Sequence, residues 1–371
     1  MLKKIIKEKN RFFKKMTMFY HKQKYFYLNK SNRIILFFFP TDSNSISGGL
    51  LSITSIQNEI KELEDIHKCK VFCSFLPGIE NNFIKYKTFE NDLVVFNFED
   101  ITKLFNNLEY LELQIPEIFI PFFVQKNSNF SIFFQWILKI DKIKINVLNQ
   151  NDTLMPSKEI LSNLYEITDD LTMTVAHKNY STLERRNYYG VPLQLLTPWI
   201  SVKPYHFNDY KNKKNIIILS PDEIDNKLYN TNINRQTIVN FLKVNLPNYQ
   251  VITIQNLKYE EYKLLISNAK FAMTFGEGLD GYFAEPIFSG SISFAVYNDV
   301  FFPKNFKNLK TVYSTFNILL EKMIDDIKFL DNLENYKNYN SEQLILIDKL
   351  YGKHIFKSDI KNYYLENYTF K

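Results

Sequence analysis

Glycine, histidine and cysteine are scarce in this sequence, with nine, five and two copies among 371 residues. The cysteines, Cys69 and Cys73, form a lone C-x3-C with no further ligand at zinc spacing, which excludes a disulfide framework and a zinc module and fits a reduced compartment. No apolar run approaches the roughly 18 residues of a bilayer span, and none is followed by a small-residue cleavage site. The chain therefore reads as cytoplasmic. Few glycines and prolines beside abundant Lys, Asn, Ile, Phe and Tyr reflect AT-rich codon usage more than chemistry, and suggest a bacterial source.

What is present is a globular composition, 45% hydrophobic and 23% charged, long enough for two cores. Charge is unevenly placed. Residues 1–30 carry ten Lys or Arg against Glu8 alone, so nine positive charges sit there and the remainder of a +6 chain is at −3. Leu2, Ile5, Ile6, Phe12, Phe13, Met16 and Phe19 recur among them at helical spacing. Residues 1–28 thus read as a basic amphipathic helix suited to an anionic membrane surface at the inner face of a membrane. The acidic body carries no nucleic-acid motif, and no nucleic-acid partner is expected.

Along the chain, continuous apolar runs alternate with helical patterns. Arg33–Phe39 is a buried strand, followed by a loop with Gly48 and Gly49 and a helical stretch from Leu50 to Glu64. Strand-like runs follow at 71–76, 93–98, 118–124, 143–148 and 171–176, then Asn215–Leu219 and Gln250–Ile254 after a linker over 202–214. Such runs belong to parallel sheets covered on both faces, so the fold class is α/β with two Rossmann-like domains. Loops at strand carboxyl ends are the functional candidates: Gly48-Gly49, Asn149 to Asp152, and His177.

The organising stretch is Phe275-Gly-Glu-Gly-Leu-Asp-Gly-Tyr-Phe-Ala-Glu-Pro-Ile-Phe-Ser-Gly290. It reads as a glycine-rich turn between a strand and a short helix. Gly276, Gly278 and Gly281 let backbone approach a ligand and allow positive φ, and the helix start offers N–H groups to hydroxyls or phosphate oxygens. Glu285, inside that helix, has the lone pairs to accept both hydroxyls of a ribose diol.

This passage, with the amphipathic helix from Tyr259 before it, resembles the donor-site signature of retaining nucleotide-sugar glycosyltransferases of the GT-B fold, the E-x7-E or group 1 type. Glu277-Gly278, Glu285 and Gly290 carry the match, while Asp280-Gly281-Tyr282, Ile292 and Pro286 depart from the usual pattern. The resemblance implies two domains with a cleft between them: an amino-terminal domain over 29–203, a nucleotide-sugar domain over 204–340, and a helix over 341–371 returning to the first.

It further implies that Glu285 holds the ribose, that Glu277 is catalytic with Gly276, Gly278, Leu279, Asp280 and Gly281 around the donor, and that Arg235 or Lys227 faces the diphosphate. Gly48, Gly49, Asn149 and His177 would belong to the acceptor or diphosphate loops. The family's histidine near the donor sugar is absent, with Asn149 or Gln150 in its place. Asp-x-Asp, the metal–diphosphate motif of the other major transferase fold, is also absent. The expected activity is a retaining, metal-independent, cofactor-free hexosyl transfer to a surface polysaccharide or lipid-linked glycan. Two rivals stay open, an inverting transferase using His177 and a non-catalytic scaffold of the same fold.

Overall fold

The computed structural model describes residues 16–17, 19–42, 47–81, 86–125, 130–197 and 205–371. Most of the basic segment expected over 1–28 lies outside them. Residues 19–28 are helical, and Tyr25 ties that helix to the body by donating to the Val71 carbonyl at 3.0 Å and packing on Phe72. No helix among the described residues is long and apolar enough to cross a membrane.

The chain divides into two compact units, Met1–Pro198 with Lys357–Lys371, and Trp199–Phe356. The first holds seven parallel strands: β1 (Arg33–Phe38), β2 (Lys70–Ser74), β3 (Val95–Phe96), β4 (Leu108–Pro116), β5 (Ile140–Asn149), β6 (Asp170–Val175) and β7 (Leu193–Leu195), in the order β3-β2-β1-β4-β5-β6-β7. The second holds β8 (Lys214–Leu219), β9 (Gln250–Thr253), β10 (Ala269–Met273), β11 (Ile292–Val296) and β12 (Val312–Tyr313), in the order β12-β11-β10-β8-β9. Every strand pair in both sheets is parallel. The fold is α/β with two Rossmann-like sheets. Strand order reverses between β1 and β4 in one and between β8 and β10 in the other, the places where an open sheet receives ligands.

Central strands form where apolar side chains can be buried on both faces: Ile34 to Phe38 are 0% exposed. The 118–124 run is not a strand. Pro116 ends β4, and residues 117–124 make two short helical turns instead. The true strand was hidden by Glu109, Glu112 and Gln114, polar residues that interrupt its apolar run. The 93–98 run likewise keeps only Val95–Phe96 as strand before a helix begins at Phe98.

Glu112 can be buried because the chain's last residues supply donors. Tyr363 and Tyr364 donate to Oε1 at 3.2 and 3.3 Å, Gln114 at 2.5 Å, and Tyr110 to Oε2 at 3.2 Å. Phe370 adds an antiparallel bridge to Leu193. The segment that belongs to the first unit begins at Lys357 rather than 341, because helix Leu333–Tyr351 is anchored in the second. There Tyr336 donates to the carbonyls of Lys270 and Gly290, and Gln343 pairs with Ser293. Replacing Tyr363 by Phe should destabilise the first unit by about 1–2 kcal/mol, since a buried carboxylate loses a donor. Urea unfolding monitors this; an unchanged midpoint would remove Tyr363 from the anchor.

Candidate functional site

The second unit's site is built where β8 and β10 part. The Phe275 N–H donates to Ser220 Oγ at 3.1 Å and the Ser220 N–H to the Met273 carbonyl at 2.9 Å, so the loops leaving both strands start side by side. Asp222 then lies over Gly276, where a Cβ would come within 3.2–3.3 Å of its side chain. Its Oδ2 is buried without a hydrogen-bond partner among the described residues. Asp280 caps helix Gly281–Phe288, accepting the Phe283 N–H and the Thr274 hydroxyl, each at 3.0 Å.

Three carboxyls therefore share one small region. Burial, then the charge of Asp222, pushes Glu277 up to about 7. Burial, then Asp222 and Glu277, pushes Asp280 up to about 8. Asp222 is raised by burial as well. Among the described residues no group of three His, Cys, Asp or Glu side chains is arranged to hold a metal ion.

Of the three expected glycines, Gly278 alone needs its freedom, at φ +83°. A Cβ there would lie 2.6 Å from the Phe302 ring and 3.0 Å from the Val296 carbonyl. Gly281 is the first helical residue, and the helix accommodates Pro286 within its eight residues. Leu279 belongs to the core. Tyr229 closes the loop from the side, donating to the Gly276 carbonyl at 2.8 Å, and lines a cavity of about 570 Å³ with Tyr297, Asn298, Asp299 and Lys307.

The residues expected at the diphosphate and at the ribose already have partners within the second unit. The Arg235 guanidinium donates to the carbonyls of Pro221 and Asp222 and pairs with Glu223 at 2.6 Å, holding the loop after β8. Lys227 sits on an exposed turn whose amide is held by Asp225. Glu285 is 4% exposed, and its Oε2 accepts the Tyr259 hydroxyl at 2.8 Å. Burial pushes its carboxyl up to about 7 against the bonds from Tyr259 and Tyr205 and the charge of Lys263. Tyr205 stacks flat on Phe288 at 5.5 Å beside it. Nothing in the spacing of Glu277 and Glu285 announces this tyrosine cage.

In the first unit, Gly48 and Gly49 open helix Gly48–Lys61, capped by Ser47, whose hydroxyl accepts the Leu50 N–H at 3.2 Å. Gln150 lies beside that helix start, since a Cβ on Gly49 would meet its Oε1 at 3.1 Å, while Asn149 donates to Asp152 at 3.3 Å. His177 packs edge-on to Tyr180 at 5.2 Å, and burial lowers it to about 4, which makes it a weak base near neutrality. Glu117, absent from the sequence expectations, sits at the carboxyl end of β4. Burial pushes it up to about 7, opposed by backbone N–H bonds from its own residue, Gln150 and Asn151. The misplaced strand over 118–124 concealed it; its signal is an acid directly after a strand-ending proline.

No protein-family model matches the sequence, and no curated protein does. Solved structures match through the fold, which is that of GT-B glycosyltransferases. An alpha-glucosyltransferase in complex with UDP-glucose and DNA containing an abasic site superposes at TM-score 0.57 and 10% identity, over 90% of this chain and 99% of that one. HepE of Anabaena with UDP and glucose superposes at 0.51 and 7%, over 90% and 100%. A glycosyltransferase from Rickettsia africae superposes at 0.50 and 10%, over 90% and 98%. The exclusion of nucleic acid is overturned by the first of these and by an alpha-glucosyltransferase in complex with UDP and a 13-mer DNA, at TM-score 0.55 and 10% identity: proteins of this fold are found in complex with DNA.

Gly278→Ala should lower stability by roughly 1–3 kcal/mol through its positive φ and the Phe302 contact. Gly48→Ala, in open space at a helix start, should be neutral or stabilising by up to about 1 kcal/mol. Thermal unfolding of both variants checks the contrast, and equal midpoints would contradict it.

Proposed function

We propose that this protein is a glycosyltransferase that takes its sugar from a nucleotide-sugar donor, a UDP-sugar, at the carboxyl edge of β8 and β10. The observation that carries this is the glycine-rich loop Gly276–Asp280, with Glu277 at its centre, at the point where strand order reverses. Relatives in fold that hold UDP and glucose support the donor class. Glu277 orients the sugar, and the start of helix Gly281–Phe288 offers N–H groups to the diphosphate. The ribose is given to Glu285, its diol taking over the acceptor positions now used by the tyrosine hydroxyls.

In this reading the transfer is retaining and independent of metal, with the leaving phosphate oxygen taking the acceptor's proton. Stabilisation of that leaving group is the main catalytic effect. The acceptor is a surface polysaccharide or a lipid-linked glycan, which suits a basic amino-terminal segment drawn to an anionic membrane. A DNA acceptor is the second reading, favoured by the DNA-bound glucosyltransferases and by the same basic segment. Incubation with labelled UDP-glucose separates the two: transfer of glucose into a lipid-linked glycan fraction is the result the first reading expects, and transfer into duplex DNA selects the second.

The raised carboxyls give the site a pH signature. Glu277 at about 7 and Asp280 at about 8 stand above their ordinary values, so the loop gains negative charge as pH climbs through that window. Their contribution to stability is accordingly full below the ordinary carboxyl pKa of about 4, declines as pH rises above it, and is gone once pH has passed 7 to 8. A diphosphate binds such a loop with proton uptake. The dissociation constant for UDP should rise about tenfold or more from pH 6 to pH 9, and Glu277→Gln should flatten the dependence. Calorimetry at the two pH values tests this. A pH-independent constant, or binding that needs added magnesium, would contradict the metal-independent reading of the loop.

A further inference from the structure

The cavity of about 570 Å³ beside the donor loop is left unused by the donor reading, and its residues all belong to the second unit. Tyr229 is the side chain common to the two places, lining the cavity while its hydroxyl donates to the Gly276 carbonyl at 2.8 Å. The rest of the lining comes from the carboxyl ends of β11 and β12. Tyr297, Asp299 and Val300 follow β11, Lys307 lies on the short turn Lys304–Asn308, and Val312 and Ser314 stand at the end of β12.

These walls are fixed by packing within the protein. Tyr229 sits edge-on to Phe316 at 5.1 Å, and Tyr297 stacks on Phe302 at 5.6 Å while donating to its carbonyl at 3.1 Å. Asn298 holds the turn after β11 by accepting the Val300 N–H at 2.8 Å. Asp299, Val300 and Ser314 are exposed, so solvent reaches the space. Its volume falls in the range of about 300–1,000 Å³ usual for preformed small-molecule sites.

The chemistry of the walls selects the ligand. Among the described lining residues the charged ones are Asp299 and Lys307, paired at 3.3 Å, with the ammonium also 4.4 Å from the centre of the Tyr297 ring. The two charges cancel, which favours neither an anion nor a cation. An apolar ligand would strip water from the pair without replacing its hydrogen bonds. A hydroxyl replaces that water: an ammonium has three donors and a carboxylate about four lone-pair sites, so one hydroxyl can donate to Asp299 and accept from Lys307 while the pair stays made. Leu228, Val300, Val312 and the two tyrosines supply apolar surface beside this polar edge. A ring with hydroxyls at its edge and C–H groups on its face matches both halves.

We infer that this cavity is a second ligand site, taking a neutral di- or oligosaccharide apart from any nucleotide sugar. Binding there requires neither donor nor turnover, so the inference does not rest on the transferase reading.

Saturation-transfer NMR on the full chain with maltose, cellobiose, lactose and N,N′-diacetylchitobiose tests it, with thermal stabilisation by UDP as a separate readout of the donor loop. At least one disaccharide should bind the wild type. Ser314→Trp, at an exposed position of the lining, should abolish that binding by filling the space. Lys307→Met should weaken it by about tenfold or more, since a hydrogen bond to a charged group is lost. UDP should stabilise both variants as it does the wild type. The site is overturned if no disaccharide binds the wild type, or if binding persists at wild-type affinity in Ser314→Trp. Loss of UDP stabilisation together with the disaccharide in both variants would also overturn it, by assigning the sugar to the donor loop. If UDP fails to stabilise the wild type while a disaccharide binds and is lost in Ser314→Trp, the donor reading fails and the saccharide site stands.

Discussion

The amide of Phe275 on the hydroxyl of Ser220 is a small interaction on which the second unit's site depends. It joins the ends of β8 and β10 at the one place where the chain turns to opposite sides of the sheet. From it follow the seat of Asp222 over Gly276, the left-handed turn at Gly278 and the entry into helix Gly281–Phe288 under the Asp280 cap. Each step is local, yet together they bury three carboxyls, and the charge of Asp222 adds to burial in raising the proton affinity of Glu277 and Asp280. Such repulsion is unfavourable for folding alone, which is why perturbed carboxyls clustered at a strand end are a functional signal.

The two halves of the E-x7-E motif end in different surroundings. Glu277 stays at the loop edge, whereas Glu285 is enclosed by the phenols of Tyr259 and Tyr205 with Lys263 nearby. Tyr262 stands in the same cage, 6% exposed, with a hydroxyl that has no partner among the described residues. The cage shows that Glu285 accepts two hydroxyl hydrogen bonds at once, which is the chemistry of a diol, supplied here by the protein itself. A donor that uses Glu285 must compete with those phenols, so the enclosure sets part of the donor's affinity.

Much of this was legible from residue order. Continuous apolar runs mark β1, β5, β6, β8, β10 and β11 because a parallel strand covered on both faces has no polar side to show. The glycine-rich loop and its neighbouring helix were legible for the same reason, since few residue types fit a turn at positive φ. What escaped depends on distant partners. β4 carries Glu112 in its middle, and the tyrosines that make this tolerable lie some 250 positions later, beyond any local pattern. Missing β4 displaced the strand end and hid Glu117. Arg235 looked like a phosphate ligand by residue type, but carbonyls of its own loop had already engaged it. The tyrosines around Glu285 escaped because tyrosine spacing says nothing about where a phenol points.

The central claim is that a nucleotide sugar is received at the carboxyl ends of β8 and β10. Hydrogen–deuterium exchange of the full chain with and without UDP-glucose tests it most directly, because the claim names which amides become protected. Slower exchange confined chiefly to residues 220–223 and 276–283 is the predicted result. Protection that leaves both stretches unchanged, or that appears only elsewhere in the chain, would contradict it.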